Sequence, residues 1–107
     1  MATRALIHLP DTVPRGSVVE IRTTLAHPME TGHRRDAGGA LRPRDIATRF
    51  ECRLDQTLIF AADLYPAIAA NPYLAFTLRA DRAGTLHFLW EGDNGFRHEE
   101  RRPLALA

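Results

Sequence analysis

From Ile46 to Leu54 the chain alternates strictly: Ile46, Thr48, Phe50, Cys52 and Leu54 fall on one side, and Ala47, Arg49, Glu51 and Arg53 on the other. A side-chain repeat of two residues is that of a β-strand with one face buried and one face wet. A helix would scatter these residues around its whole circumference. The same period places Val19, Ile21, Thr23 and Leu25 on one face of a strand from about Ser17 to Ala26, and Leu74, Phe76 and Leu78 on one face from Tyr73 to Ala80. Leu86, Phe88 and Trp90 repeat it. Shorter strands are predicted at Ala5–Leu9, Thr57–Ala62 and Phe96–Arg102, the last so charged that an edge position is expected. About seven strands at this spacing predict an all-β fold, an immunoglobulin-like (fibronectin-III-like) antiparallel β-sandwich. At 107 residues the chain is expected to form a single domain over positions 1–107.

Turn chemistry falls between the strands at Pro14-Arg-Gly16, Leu54-Asp-Gln-Thr57, Asp81-Arg-Ala-Gly84 and Gly92-Asp-Asn-Gly95. The last two predict hairpins. Two connections are longer. His27 to Asp45 exceeds a simple turn, and its Arg35-Asp-Ala-Gly-Gly-Ala40 centre predicts a hairpin-like excursion between two sandwich strands. In Ala62 to Pro72, Pro66 and Pro72 bias Tyr65 and Asn71 away from helical geometry, leaving room for at most a single helical turn between them.

All fourteen basic residues are arginine, and thirteen acids reduce the formal net charge to +1. Nucleic-acid binders carry a larger and more one-sided excess, so that class is disfavoured. No apolar run approaches the roughly 20 residues of a membrane span. The stretch Met1 to Pro10 has no signal-peptide core, which taken alone predicts a cytoplasmic protein. A single cysteine excludes an intramolecular disulfide.

Cys52 shares its face with Phe50 and Leu54, so its parity predicts a packing thiol rather than a reactive one. Among the histidines His8, His27, His33, His87 and His98, only His27 and His33 share a loop, and neither zincin nor zinc-finger spacing is present. His27 is expected to end a strand before Pro28, and His33 to be solvated. The lone serine, Ser17, lacks a nucleophile-elbow context. Nothing in the sequence brings Asp63 and Glu30 together as an acid–base pair. No catalytic residue, cofactor site or metal site is predicted. Arg34, Arg35, Arg42 and Arg44 gather in the long excursion as a candidate anion-attracting, partner-steering patch.

Three segments together resemble the SoxZ family of sulfur-oxidation (Sox) proteins. These are His27-Pro-Met-Glu-Thr-Gly32 leading to Arg34 and Asp36, then Pro43-Arg44, then Ala62-Asp-Leu-Tyr-Pro-Ala-Ile-Ala-Ala-Asn-Pro-Tyr-Leu-Ala-Phe76. Phe50-Glu-Cys52 and Gly84-Thr-Leu-His-Phe-Leu-Trp90 extend the resemblance over nearly the whole chain. It implies an immunoglobulin-like, non-catalytic scaffold that pairs with a SoxY-like subunit, whose C-terminal cysteine arm carries sulfur intermediates in thiosulfate oxidation. The segment Arg101-Arg-Pro-Leu-Ala-Leu-Ala107 matches the expectation of no such arm here. It also implies a periplasmic location, reached with a signal-bearing partner, which reverses the cytoplasmic reading. On this basis the candidate partner-binding residues are His27, Pro28, Met29, Glu30, Thr31 and Gly32 from the first loop, and Tyr65, Asn71, Pro72 and Tyr73 from the second. Met29, Tyr65 and Tyr73 are the expected anchors, since methionine and aromatic residues are enriched in interfaces. The competing readings are a free-standing immunoglobulin-like adhesion module, and a thiol or metal enzyme using Cys52, His27 or His33.

Overall fold

The computed structural model describes residues 4–107, so the first three residues of the Met1–Pro10 stretch lie outside the described part. Seven strands follow one another: β1 (Ala5–His8), β2 (Val18–Leu25), β3 (Ala47–Leu54), β4 (Thr57–Asp63), β5 (Tyr73–Arg79), β6 (Gly84–Gly92) and β7 (Arg97–Leu104). They form two antiparallel sheets, β1-β2-β5 and β4-β3-β6-β7, which face each other as the predicted sandwich. The charged strand β7 is an edge, as expected.

The inward residues of β2 and β6 are those the alternation selects: Val19, Ile21, Thr23 and Leu25 are buried, and so are Leu86, Phe88 and Trp90. In β3 the alternation holds from Phe50 to Leu54 and fails at the start. Ala47, assigned to the wet side, is fully buried, and Thr48, assigned to the core side, is only half-buried. The cause is a bulge. Ala47 pairs with Gly92 and Arg49 with Glu91, so two steps along β3 oppose one step along β6, and one extra residue reverses the side-chain parity.

The segment Asp81–Ala83 is not a hairpin. β5 pairs with β2, whereas β6 lies between β3 and β7, so this connection crosses from one sheet to the other. Asp and Gly signal a reversal of direction, but they carry no information about which sheet the next strand joins. The hairpins are β3–β4, through Asp55 (φ 54°), and β6–β7, through a 3-10 turn at Asp93–Gly95. Before β2 the chain turns at Pro14–Ser17, closed by Ser17 N–H to the Pro14 carbonyl at 3.1 Å. Val13 forms a parallel bridge with Leu106.

Gly92 is required by the bulge rather than by its own dihedral angles, which are extended. A Cβ there would stand 2.4 Å from the Ile46 carbonyl oxygen and 2.8 Å from the Ala47 Cα. Gly92→Ala is therefore expected to destabilise the protein by about 1–3 kcal/mol in urea titrations, as overpacking does. Gly38→Ala, at the tip of the excursion where a Cβ would meet only Asp36 Oδ1 at an ordinary 3.4 Å, is expected to stay within about 0.5 kcal/mol of wild type. Equal effects would contradict this account of the bulge.

Candidate functional site

The two unusual loops meet at one corner of the sandwich. The β2–β5 ladder runs to the pair Thr24 and Tyr73, and Leu25 N–H then donates to the Pro72 carbonyl at 3.0 Å. One step further, His27 N–H donates to Asn71 Oδ1 at 3.1 Å, and Asn71 N–H donates to the His27 carbonyl at 2.7 Å. Asn71 holds φ at 54°, a left-handed conformation that asparagine tolerates better than most residues. The two loops are thus clasped by a pair of hydrogen bonds that continues the sheet.

The His27 side chain is buried and serves the same corner. Its Nδ1 accepts the Met29 N–H at 3.0 Å, which places the proton of the neutral ring on Nε2. Nε2 lies 3.9 Å from Asp45 Oδ1, and the ring meets Phe96 edge-on at 4.7 Å between centroids. The Arg4 guanidinium lies 5.0 Å from the Phe96 ring centroid. Burial pushes the imidazole pKa below its ordinary value, against the pull of Asp45 in the other direction. His27 does follow the end of a strand and His33 is exposed, as expected.

Past this corner the excursion is the predicted hairpin-like arm. Glu30 and Asp45 exchange backbone hydrogen bonds of 2.8 and 2.7 Å, Arg42 N–H donates to the Arg34 carbonyl at 2.8 Å, and Asp36 N–H donates to the Ala40 carbonyl at 2.8 Å. At the tip, Asp36 Oδ1 accepts from Gly38 and Ala40 N–H at 2.9 and 3.1 Å. Gly32 has φ 87°, and a Cβ there would press on the Arg44 backbone at 3.3 Å, so both geometry and contact favour glycine.

The arginines of this arm are largely committed. Arg34 pairs with Glu30 at 2.7 Å, and Arg44 makes a two-pronged contact with Asp93 at 2.8 and 2.9 Å. Arg44 in turn holds the Asp93 carboxyl below the usual range. Arg35 donates to the Gly39 carbonyl at 2.7 Å. Only the Arg42 guanidinium has no hydrogen-bond or ion-pair partner among the described residues.

In the second loop, Leu64 is buried, and Ile68 N–H closes a turn onto the Tyr65 carbonyl at 2.9 Å. No helix forms there: the chain makes the single turn Tyr65–Ile68 before Asn71 and Pro72 enter the clasp. Of the ten candidate partner-binding residues, Pro28, Tyr65, Asn71 and Tyr73 are exposed, and Glu30, Thr31 and Gly32 are half-buried. His27, Met29 and Pro72 are buried. Met29 is therefore corrected as a surface anchor: its thioether faces inward, where Sδ accepts the Ala47 N–H at 3.3 Å. The parts played by Asp93 and Phe96 were not foreseen, since both lie in a distant hairpin that no local pattern connects to the excursion.

Cys52 is fully buried, and burial alone pushes its thiol up to about 12. Ser17 Oγ donates to the Pro14 carbonyl at 2.6 Å. Glu30 and Asp63 each pair with a different arginine, Arg34 and Arg49. Among the described residues no three of His, Cys, Asp and Glu gather as metal ligands.

The described residues thus define a two-sheet antiparallel β-sandwich whose polar side chains at this corner clasp two loops and pair charges. The family model described as "Sulphur oxidation protein SoxZ" matches residues 7–103, and the chain belongs to that family. It is thereby a non-catalytic carrier subunit of the Sox sulfur-oxidation system. No curated protein sequence matches the chain. Among solved structures, the sulfur carrier protein SoxY from Chlorobium limicola f thiosulfatophilum superposes with TM-score 0.68 at 14% identity, covering 97% of this chain and 76% of that one. A superoxide reductase (neelaredoxin) from Ignicoccus hospitalis gives 0.72 at 16% identity, covering 98% and 81%. The reduced enzyme of that name from Archaeoglobus fulgidus gives 0.64 at 14%, covering 95% and 89%. At these identities the likenesses concern the fold alone.

The lowered imidazole pKa of His27 has a definite sign in stability. Below the ordinary value of 6.5 an unfolded chain takes up a proton that the folded corner resists, so this contribution is complete above that pH and is lost as pH falls. His27→Asn retains an acceptor for Met29 N–H but does not titrate. Urea midpoints at about pH 7.5 and about pH 5.5 are expected to fall further for wild type than for this variant; a parallel fall would contradict a neutral, buried His27.

Proposed function

We propose that this chain is the scaffold half of a SoxYZ-type carrier, pairing with a SoxY-like subunit whose C-terminal cysteine carries the sulfur intermediates of thiosulfate oxidation. The observation that carries the reading is the SoxZ family match across residues 7–103 in a chain whose only thiol is sealed in the core. A thiolate is the nucleophile in sulfur transfer, and a buried thiol with its pKa pushed up to about 12 presents none. The sulfur-bearing group is then the partner's. A periplasmic location is part of the proposal, on the strength of the resemblance to the SoxZ family alone.

The steering role of the arm narrows to its uncommitted cations. Arg42 and, through its remaining nitrogens, Arg35 are available to attract an anionic sulfur group or an acidic Sox enzyme. Arg34 and Arg44 serve chiefly to hold the arm in shape through Glu30 and Asp93.

Co-expression with a SoxY-like subunit is expected to give a one-to-one complex on gel filtration, with thiosulfate-dependent mass adducts confined to the partner. Cys52→Ala is expected to cost about 1 kcal/mol or more in stability and to leave those adducts unchanged. An adduct on Cys52, or no complex, would reject the reading. Arg35→Gln with Arg42→Gln is expected to slow turnover in a reconstituted thiosulfate assay and flatten its salt dependence. Unchanged kinetics would remove the steering role.

A further inference from the structure

The two outer faces of the sandwich differ in what they leave unsatisfied. On the four-stranded sheet, charges pair within β3, between β3 and β4 and between β6 and β7: Arg49 with Asp63 and Glu51 at 3.0 Å each, Arg53 with Glu51 at 3.2 Å and Arg97 with Glu91 at 3.7 Å, while His87 Nε2 lies 2.9 Å from Glu99 Oε2. Covering this face would strip water from charges that already have partners, for little return.

The three-stranded sheet is bare by comparison. Register places Leu6, Thr24 and Tyr73 in one row across β1, β2 and β5. Leu6, Val18 and Tyr73 are 61, 60 and 59% exposed, and Arg22 with Glu20 is the only ion pair on this face among the described residues. Leu6 and Tyr73 flank Thr24 in that row, while Val18 stands six positions away along β2; it is contiguous exposed apolar surface that marks an interaction site.

The backbone beside them is open too. β1 stops at His8, opposite Arg22, where Pro10 turns the chain away. Ala80 N–H donates to the Ser17 carbonyl and Leu25 N–H to the Pro72 carbonyl, so the odd-numbered residues of β2 bond toward β5. Alternation then turns the N–H and C=O of Val18 and Glu20 the other way, into a cleft of about 700 Å³ lined by Leu9, Pro10, Pro14, Val18 and Glu20. Two donors and two acceptors at strand spacing are complemented by another strand. The solved SoxY shows this same sandwich fold, and so has sheet edges to supply one.

We propose that the outer face of the three-stranded sheet is where the SoxY-like subunit docks, with a partner strand laid along Val18–Glu20 and with Leu6, Val18 and Tyr73 covered. This rests on the pairing proposed above and adds its location. The test uses the co-expressed complex. Wild type and Leu58→Glu, a change at an exposed position on the other sheet, are expected to bind the partner alike, whereas Leu6→Glu with Tyr73→Glu weakens binding by tenfold or more while keeping the thermal midpoint of the isolated chain. In the unmutated complex, the Val18 and Glu20 amides are expected to gain protection from hydrogen exchange. Tight binding by the double variant, or no added protection in a complex that does form, overturns the docking face alone. If wild type forms no complex, the pairing itself fails and the docking face with it.

Discussion

Phe50 sits where the two sheets meet. Its ring lies 5.1 Å from Trp90 and 6.4 Å from Phe88 in its own sheet, 6.1 Å from Phe60 on the neighbouring strand, and 5.9 Å from Phe76 across the sandwich. Phe60 and Phe76 then stack at 4.6 Å. Each such pair adds about 0.5–1.5 kcal/mol beyond burial of its area, and together they tie β3, β4, β5 and β6 to one wall. The indole N–H of Trp90 has no hydrogen-bond partner among the described residues, a cost of about 1–3 kcal/mol set against complete burial of the ring. Cys52 faces the same interior from the next inward position on β3, between its pairing partners Phe60 and Phe88. Its chemical silence follows from the aromatic wall around it.

Much of this interior was legible in the sequence, because it depends on a local repeat. Phe50, Cys52 and Leu54 lie inward as their spacing requires, and so do the apolar sets of β2 and β6. Ala47 was misplaced because a bulge depends on two strands at once: the extra residue in β3 is visible only against its pairing with β6. Asp81–Ala83 was misread for a related reason, since turn residues encode a reversal and not the sheet entered next. The candidate site was legible as two loops, and its chemistry only in part. A methionine beside a proline and a glutamate reads as exposed, yet Met29 turns inward to accept the Ala47 N–H. The arginine cluster reads as free charge until Glu30 and Asp93 are found alongside it.

The sandwich divides its labour between faces. The interior fixes the shape and hides the thiol, and the four-stranded outer face answers its own charges. The corner where the loops join, with the sheet running on from it, retains exposed aromatic and aliphatic groups. A carrier subunit without chemistry of its own acts through shape and surface.

The clasp at that corner joins residues 44 positions apart, a separation that would carry a substantial loop-closure cost if the two strands met there first. They need not. The Leu25–Pro72 and His27–Asn71 hydrogen bonds extend the β2–β5 ladder beyond its last regular rung, so the clasp can close by zipping once that ladder has formed. The opening of this rung would release the start of the first loop and the end of the second in a single event. The two loops therefore constitute one cooperative unit of local unfolding, ordered or released together although their clasped residues lie 44 positions apart.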